Sequence, residues 1–382
     1  MEYRTLGRSG LRVSAVALGC EGFAGKSAGQ VRADFDYAIA HGINFVDIYS
    51  SNPELRSNIG TALDGRREGF VIQGHIGTAW EDGQYLRTRD VQKSIDSFDD
   101  MLARLRTDYV DVGMIHYVDS EDDFRTVFGG GIIGLAQRLR AEGRIRCIGM
   151  SSHNPVVARM AVETGLIDVL MFSVNPCYDL LPPNEDVDAL WDEQSYAGTL
   201  HNIDPQREAL YDLCARTGVG IDVMKVYGGG DLLRDGDSPL GRAMTPVQAI
   251  DYALGRPAVA AVMVGCRSTG EMAAALEWCD AAPEQRDYTS VITGLERFTW
   301  KGHCMYCGHC APCSAGIDIA SVTKFLNLAR QQDDIPETVR EHYRTLTRHA
   351  SECIACRQCE ERCPFGVGIV ANMQSAAAKF GY

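Results

Sequence analysis

From residue 11 to about residue 280, short β-branched apolar runs alternate with longer amphipathic stretches, and this alternation constrains the fold more than any other feature of the sequence. Eight runs read as strands: VSAVALG from Val13, NFVDIY from Asn44, FVIQGH from Phe70, YVDVGMIHY from Tyr109, RCIGMSS from Arg146, DVLMFSV from Asp168, VGIDVMKVY from Val219 and VAAVMVG from Val259. Helix-like segments such as VRADFDYAIAHG, TRDVQKSIDSFDDMLARLRTD, PVVARMAVETG, REALYDLCARTG and TPVQAIDYALGRP lie between them, several ending in glycine as a C-cap does. Repeated βα units on a parallel sheet belong to the α/β class, and eight of them imply a closed (β/α)8 TIM barrel.

Such a barrel performs its chemistry at the C-terminal ends of its strands, so polar residues there carry the functional weight. That rule selects Asp47 and Tyr49, two apart and hence on one face of the second strand, together with His75, His116 and Lys225 at the ends of the third, fourth and seventh. The connection after the sixth strand, from Cys177 to Pro205, exceeds an ordinary βα loop and is expected to overhang the barrel mouth as a lid or substrate loop. The 382 residues exceed one barrel. Residues 281–300 read as a linker and docking segment, which divides the chain into a barrel over 1–294 and a smaller domain over 295–382. A net charge of −14 offers no field to hold phosphate backbones or anionic membranes, so nucleic acid and membrane are excluded as partners. The N-terminal segment has no basic-then-apolar signal pattern and no run reaches about 18 apolar residues. A cytoplasmic location is expected.

Eight of the fourteen cysteines crowd into residues 304–363. The first run, CMYCGHCAPC, spaces Cys304, Cys307, Cys310 and Cys313 three apart; the second, CIACRQCEERCP, places Cys353, Cys356, Cys359 and Cys363 before Pro364. The second run matches the bacterial ferredoxin spacing C-x2-C-x2-C-x3-C-P, in which three thiolates grip one cubane and the fourth reaches the other. Two [4Fe-4S] clusters follow, one on Cys304, Cys307, Cys310 and Cys363, the other on Cys353, Cys356, Cys359 and Cys313. The first run departs from the pattern by its last spacing and by Ser314 where proline is expected. Two tetrahedral zinc sites of four thiolates are the alternative, although zinc sites normally use separated C-x2-C pairs. The insert between the runs, with SVTKFLNLARQQ and ETVREHYRTLTRHA, reads as helical, so the domain is expected to be α-helical and ferredoxin-like. Oxygen sensitivity and anaerobic chemistry are expected. The six remaining cysteines are scattered singly and read as small buried hydrophobes.

The barrel sequence resembles the aldo/keto reductases, and with the cysteine domain their iron-sulfur branch, through YRTLGRSGLRVS, GINFVD, DYVDVGMIH and GRIRCIGMSS. The resemblance implies a TIM barrel that binds NADPH at its strand ends and reduces carbonyls with an Asp, Tyr, Lys, His tetrad. Asp47 and His116 match the Asp and His; Asn52 stands at the tyrosine position and His75 at the lysine position. A phenol with a lowered pKa donates the proton in that mechanism, and Asn52 cannot titrate. Asp47, Tyr49, Asn52, His75, His116 and Lys225 are therefore the candidate catalytic residues. For the cofactor, the resemblance assigns Ser151 and Ser152 in GMSS, Asn175 where glutamine is usual, and Gly265 and Arg267 after the eighth strand, while Ala274 and Ala275 replace the usual Glu and Asn. Gly228, Gly229 and Gly230 add a loop whose amides can approach a pyrophosphate.

Nicotinamide moves two electrons as a hydride whereas each cubane moves one, so direct exchange between them requires a bridge such as flavin. NADPH and flavin stand as candidate cofactors beside the two clusters. The leading expectation is an iron-sulfur oxidoreductase acting on a small carbonyl or conjugated substrate. A nicotinamide-independent reductase fed by ferredoxin or another electron carrier is the first alternative, and a non-catalytic electron-transfer subunit the second.

Overall fold

In the computed structural model, residues 1–190, 192–293, 295, 298–299, 302–330, 335 and 337–382 are described. Eight parallel strands close on themselves: β1 (Val16–Gly19), β2 (Phe45–Ile48), β3 (Val71–Ile76), β4 (Val110–Ile115), β5 (Ile145–Ser152), β6 (Val169–Ser173), β7 (Gly220–Met224) and β8 (Val259–Gly265). The expected (β/α)8 barrel is the observed one. The flanking helices are α1 (Ala28–Ala40), α2 (Pro53–Leu63), α3 (Val91–Leu105), α4 (Gly131–Ala141), α5 (Pro155–Glu163), α6 (Pro205–Thr217), α7 (Pro246–Leu254) and α8 (Thr269–Leu276).

Local chemistry starts these helices where the sequence switches period. Ser27 and Thr245 form capping boxes with Gln30 and Gln248, and Asp90, Asn154 and Asp204 accept from first-turn amides. Proline opens α2, α5, α6 and α7, where no intrahelical donor is lost. Where α2 crosses α3, Gly60 has no side chain because a Cβ would stand 2.0 Å from the Arg104 carbonyl oxygen.

The first apolar run splits. Val13 and Ser14 belong to an N-terminal antiparallel hairpin, Tyr3–Thr5 against Arg12–Ser14, and only Val16–Gly19 enters the barrel. Leu6 and Val13 of the hairpin join Phe45, Val112, Met114, Met171 and Met263 in the interior cluster and plug the end opposite the rim formed by the C-terminal strand ends. Over that rim stands a second hairpin, Thr78–Glu81 with Gln84–Arg87, inserted after β3.

Residues 281–293, expected as a linker and docking segment, form two short helices, Pro283–Arg286 and Thr289–Ile292, with Tyr288 buried. Of the expected domain boundary, residue 294 lies outside the described residues. Beyond it, α9 (Ile319–Arg330), α10 (Glu337–Arg344) and α11 (Ile369–Phe380) are the longer helices, so the region is helical as expected, and residues 331–332 of the expected insert helix lie outside the described residues. Arg256 is wholly buried and donates to the Met305 carbonyl at 2.5 Å, and the Tyr288 hydroxyl donates to the same oxygen at 2.8 Å. Two donors from the barrel side therefore hold the loop that carries Cys304 and Cys307.

Candidate active site

Residues two apart on a strand share a face, so Gln73 and His75 of β3 both point into the barrel beside Asp47 of β2, with which Gln73 is in register. His116 follows the end of β4. His75 Nε2 lies 2.9 Å from Asp47 Oδ1, and its Nδ1 lies 2.7 Å from His116 Nδ1. Tyr49 stacks over His116 with ring centroids 5.7 Å apart and planes 10° from parallel. Tyr85, from the rim hairpin, meets both rings edge-on at 6.2 and 5.7 Å.

The bonding assigns the tautomers. A neutral His75 that donates from Nε2 to Asp47 leaves its Nδ1 as acceptor. His116 then donates from Nδ1, and its Nε2 is a bare acceptor. A proton added at His116 Nε2 would reverse the central bond, the Nδ1 hydrogen passing to His75. The arrangement offers a path for a proton between the two rings through the Nδ1 contact.

Burial, then the neighbouring His75, holds the His116 pKa well below the ordinary histidine value. Burial and a hydrogen bond to Glu21 push the Tyr49 phenol well above its ordinary value, which makes Tyr49 a poor proton donor and suits it to holding the His116 ring.

The two cysteine runs share a backbone. In the first, Tyr306 and Gly308 have φ of 57° and 80°; in the second, Ala355 and Arg357, at the equivalent positions, have φ of 52° and 63°. Left-handed conformations at three non-glycine residues each cost about 1–2 kcal/mol, and here they turn each loop around its own thiols. Cys304, Cys307, Cys310 and Cys363 line one cavity with Met305, Ile319, Phe365, Val367 and Ile369. Burial raises the Cys304 thiol to about 11, while the Tyr306 amide donates to it and works the other way. Burial likewise raises Cys307, opposed by the His309 amide. Cys356 Sγ lies 4.0 Å from Ser314 Oγ, beside Cys313. Among the described residues, no three His, Cys, Asp or Glu side chains are posed around a single metal ion.

The family model for the aldo/keto reductases matches residues 15–242. The chain belongs to the aldo/keto reductase family. It is 30% identical over 176 residues to an uncharacterized oxidoreductase, YqkF, of Bacillus subtilis, covering 45% of this chain and 56% of that one. It is 31% identical over 203 residues to the L-galactose dehydrogenase of Arabidopsis thaliana, covering 48% and 61%. The chain therefore spans little more than half the length of these curated relatives. In structure it resembles the aldo-keto reductase AKR11C1 from Bacillus halodurans in its holo form, with a TM-score of 0.59 at 23% identity over 75% of this chain and 94% of that one.

Within this aldo/keto reductase, the other expected site residues have separate places. The Asn52 amide oxygen caps α2 by accepting from the Leu55 amide at 3.0 Å. Lys225 lies just past the end of β7, exposed and at φ 61°. Its carbonyl accepts from Asn175 Nδ2 at 2.9 Å, and Asn175 Oδ1 accepts from the Cys177 and Tyr178 amides. The Asn175 side chain is thus spent on holding backbone. Ser152 Oγ donates to Asp119 at 2.8 Å, and Ser151 Oγ accepts from the Tyr117 amide. Gly228, Gly229 and Gly230 run at φ 57°, 74° and 108°. A Cβ at Gly230 or Gly265 would meet nothing within 4 Å, and Arg267 is exposed beside Gly265.

Residues missed in the sequence are Gln73, Asp222, Tyr85 and Glu21. Gln73 carried a usable signal, since it shares His75's face two residues earlier. Asp222, the one charge inside the run VGIDVM, carried another. Tyr85 sits on a hairpin that no periodicity announced.

Proposed function

We propose that this aldo/keto reductase is an iron-sulfur oxidoreductase that reduces a small carbonyl or conjugated substrate at the barrel mouth, with its proton delivered by His116. The observation that carries the reading is the Asp47–His75–His116 chain at the ends of three adjacent strands. Asp47 accepts from His75 Nε2 and orients that ring; His75 sets the proton on His116; Tyr49 and Tyr85 pack the His116 ring and shield it from water. His116 Nε2 then meets the substrate oxygen or carbon that gains the proton.

The cysteine cavity fits a cubane in its donor chemistry. Four thiols drawn from both runs border a space lined with apolar side chains, and backbone amides already aim at the sulfurs, as a cluster's negative charge requires. Cys304, Cys307, Cys310 and Cys363 would hold one cluster and Cys353, Cys356, Cys359 and Cys313 the other; when bound, each supplies one electron at a time. The matching turns of the two runs support two such sites rather than one. Binding requires the thiols to lose their protons, so burial that raises their pKa makes loading favour higher pH.

For NADPH the fit is divided. The open backbone at Gly230 and Gly265 beside Arg267 suits phosphate, whereas Asn175 and Ser152 have committed the side chains that would clamp a carboxamide. That commitment favours the second reading, a reductase fed one electron at a time by ferredoxin or another carrier.

The test uses the loaded enzyme reduced anaerobically and offered pools of aldehydes, ketones and enones. His75→Gln and His116→Gln should each lower turnover by about 100-fold or more with melting behaviour retained, the usual weight of a positioned acid. Full activity in either variant would remove the relay.

A further inference from the structure

Deep in the barrel, below the histidines, lies a group that the relay does not use. Asp222 of β7 is wholly buried, and Gln73 Nε2 donates one hydrogen to Asp222 Oδ2 at 3.0 Å and the other to Asp47 Oδ1 at 2.9 Å. One amide therefore bridges two carboxyl groups, and Asp47 is only 4% exposed. Turning the amide over would set Gln73 Oε1 against both carboxyls, so the two acceptors fix its orientation.

Two buried carboxylates sharing one donor cannot both stay ionised, because desolvation and mutual repulsion each act against the second charge. The partners decide which one keeps it. Asp47 has His75 Nε2 at 2.9 Å as well as the amide, whereas Asp222 has the amide alone among the described side chains, and its Oδ1 has no hydrogen-bond partner among the described residues. Around Asp222 the adjoining elements present Asp47 from β2, Gln73 from β3, Cys147 from β5, Met171 from β6 and Ala261 from β8. No cation is among them. Oδ2 accepts from the amide, which leaves Oδ1 to carry a proton.

We propose that Asp222 is a carboxylic acid, neutral at pH 7, that through Gln73 holds Asp47 as the ionised member of the pair and keeps it aimed at His75. Asp222 is a positioning residue. It touches neither substrate nor either histidine, and it acts by occupying the second hydrogen of the Gln73 amide without adding a second negative charge. Its burial, with Asp47 nearby, raises its own pKa, in accord with the geometry. The inference deepens the relay reading and rests on it only for the consequence to catalysis.

Infrared spectroscopy of the intact protein tests the protonation directly, without substrate. A carbonyl stretch from a protonated carboxyl should be present at pH 7 and absent from Asp222→Asn. Asparagine offers a neutral oxygen of nearly the same shape, so this variant should melt normally and turn over close to wild type. It should also lose any alkaline fall in activity caused by ionisation of Asp222. Because the folded state keeps a proton that the unfolded chain releases above about pH 4, wild-type stability should decline as pH rises, and Asp222→Asn should flatten that slope. Asp222→Leu, which leaves the Gln73 hydrogen without an acceptor, should lower kcat more than it raises KM. Absence of the band from wild type at neutral pH would overturn the inference, as would persistence of the band in Asp222→Asn. Should the variant fail to fold, the wild-type band and its pH titration still decide the protonation. A full band with fully active His75→Gln would instead sink the relay while leaving Asp222 neutral.

Discussion

At the scale of single residues, the site is organised by where a proton is allowed to rest. Burial and the neighbouring His75 keep His116 neutral at pH values where an exposed histidine would begin to charge. The sign of the consequence follows: below about pH 6.5 the unfolded chain takes up a proton that folded His116 refuses, so stability falls as pH drops through that value. His116→Gln should show a flatter decline in melting temperature between pH 7 and pH 5 than wild type; an equal slope would mean that His116 charges normally in the fold. Asp47, His75 and His116 were legible in the sequence because each ends an apolar run, where a barrel puts its chemistry. Asn52 and Asn175 had recognisable positions too, but position does not reveal what a side chain binds. One amide caps α2 and the other braces the backbone at Lys225 and Cys177. Gln73 and Asp222 were overlooked because polar residues inside apolar runs read as interruptions until the opposite strands are brought together.

At the scale of elements, the strands were readable since a parallel barrel buries both faces and leaves uninterrupted apolar runs. The first run misled for a local reason: Val13 and the small Ser14 sit directly before Ala15 and β1 with no turn residue between, yet they pair with Arg4 and Tyr3 across a turn at Gly7 and Gly10. Helix packing sets its own limits. Gly60→Ala would press a methyl group onto the Arg104 carbonyl and should destabilise the protein by about 1–3 kcal/mol. Gly134→Ala, on the exposed face of α4 with nothing within 4 Å, should stabilise it by about 0.5–1 kcal/mol. Denaturant melts of the two variants check the contrast; a neutral Gly60→Ala would mean that α2 and α3 can move apart at no cost.

At the scale of the whole molecule, a barrel-mouth cluster and two cysteine runs share one chain. A barrel with the hydrogen-bonded chain Asp47–His75–His116 at its mouth is joined to a helical region whose cysteine loop is held by Arg256 and Tyr288. The spacing of the cysteines was legible because ligand intervals are local, whereas the contact of that loop with the end of α7 was not, since it joins residues about fifty positions apart. The union has a functional meaning only if the cysteines hold redox-active iron. No helix among the described residues is long and apolar enough to cross a membrane. The most direct measurement is iron and sulfide analysis of protein purified without oxygen, with electron paramagnetic resonance spectra before and after dithionite and after a chelator has removed the metal. Two cubanes predict about eight irons and eight sulfides per chain, a spectrum of reduced clusters, and loss of turnover with the metal. Zinc in place of iron, or turnover that survives removal of the metal, would contradict the iron-sulfur reading.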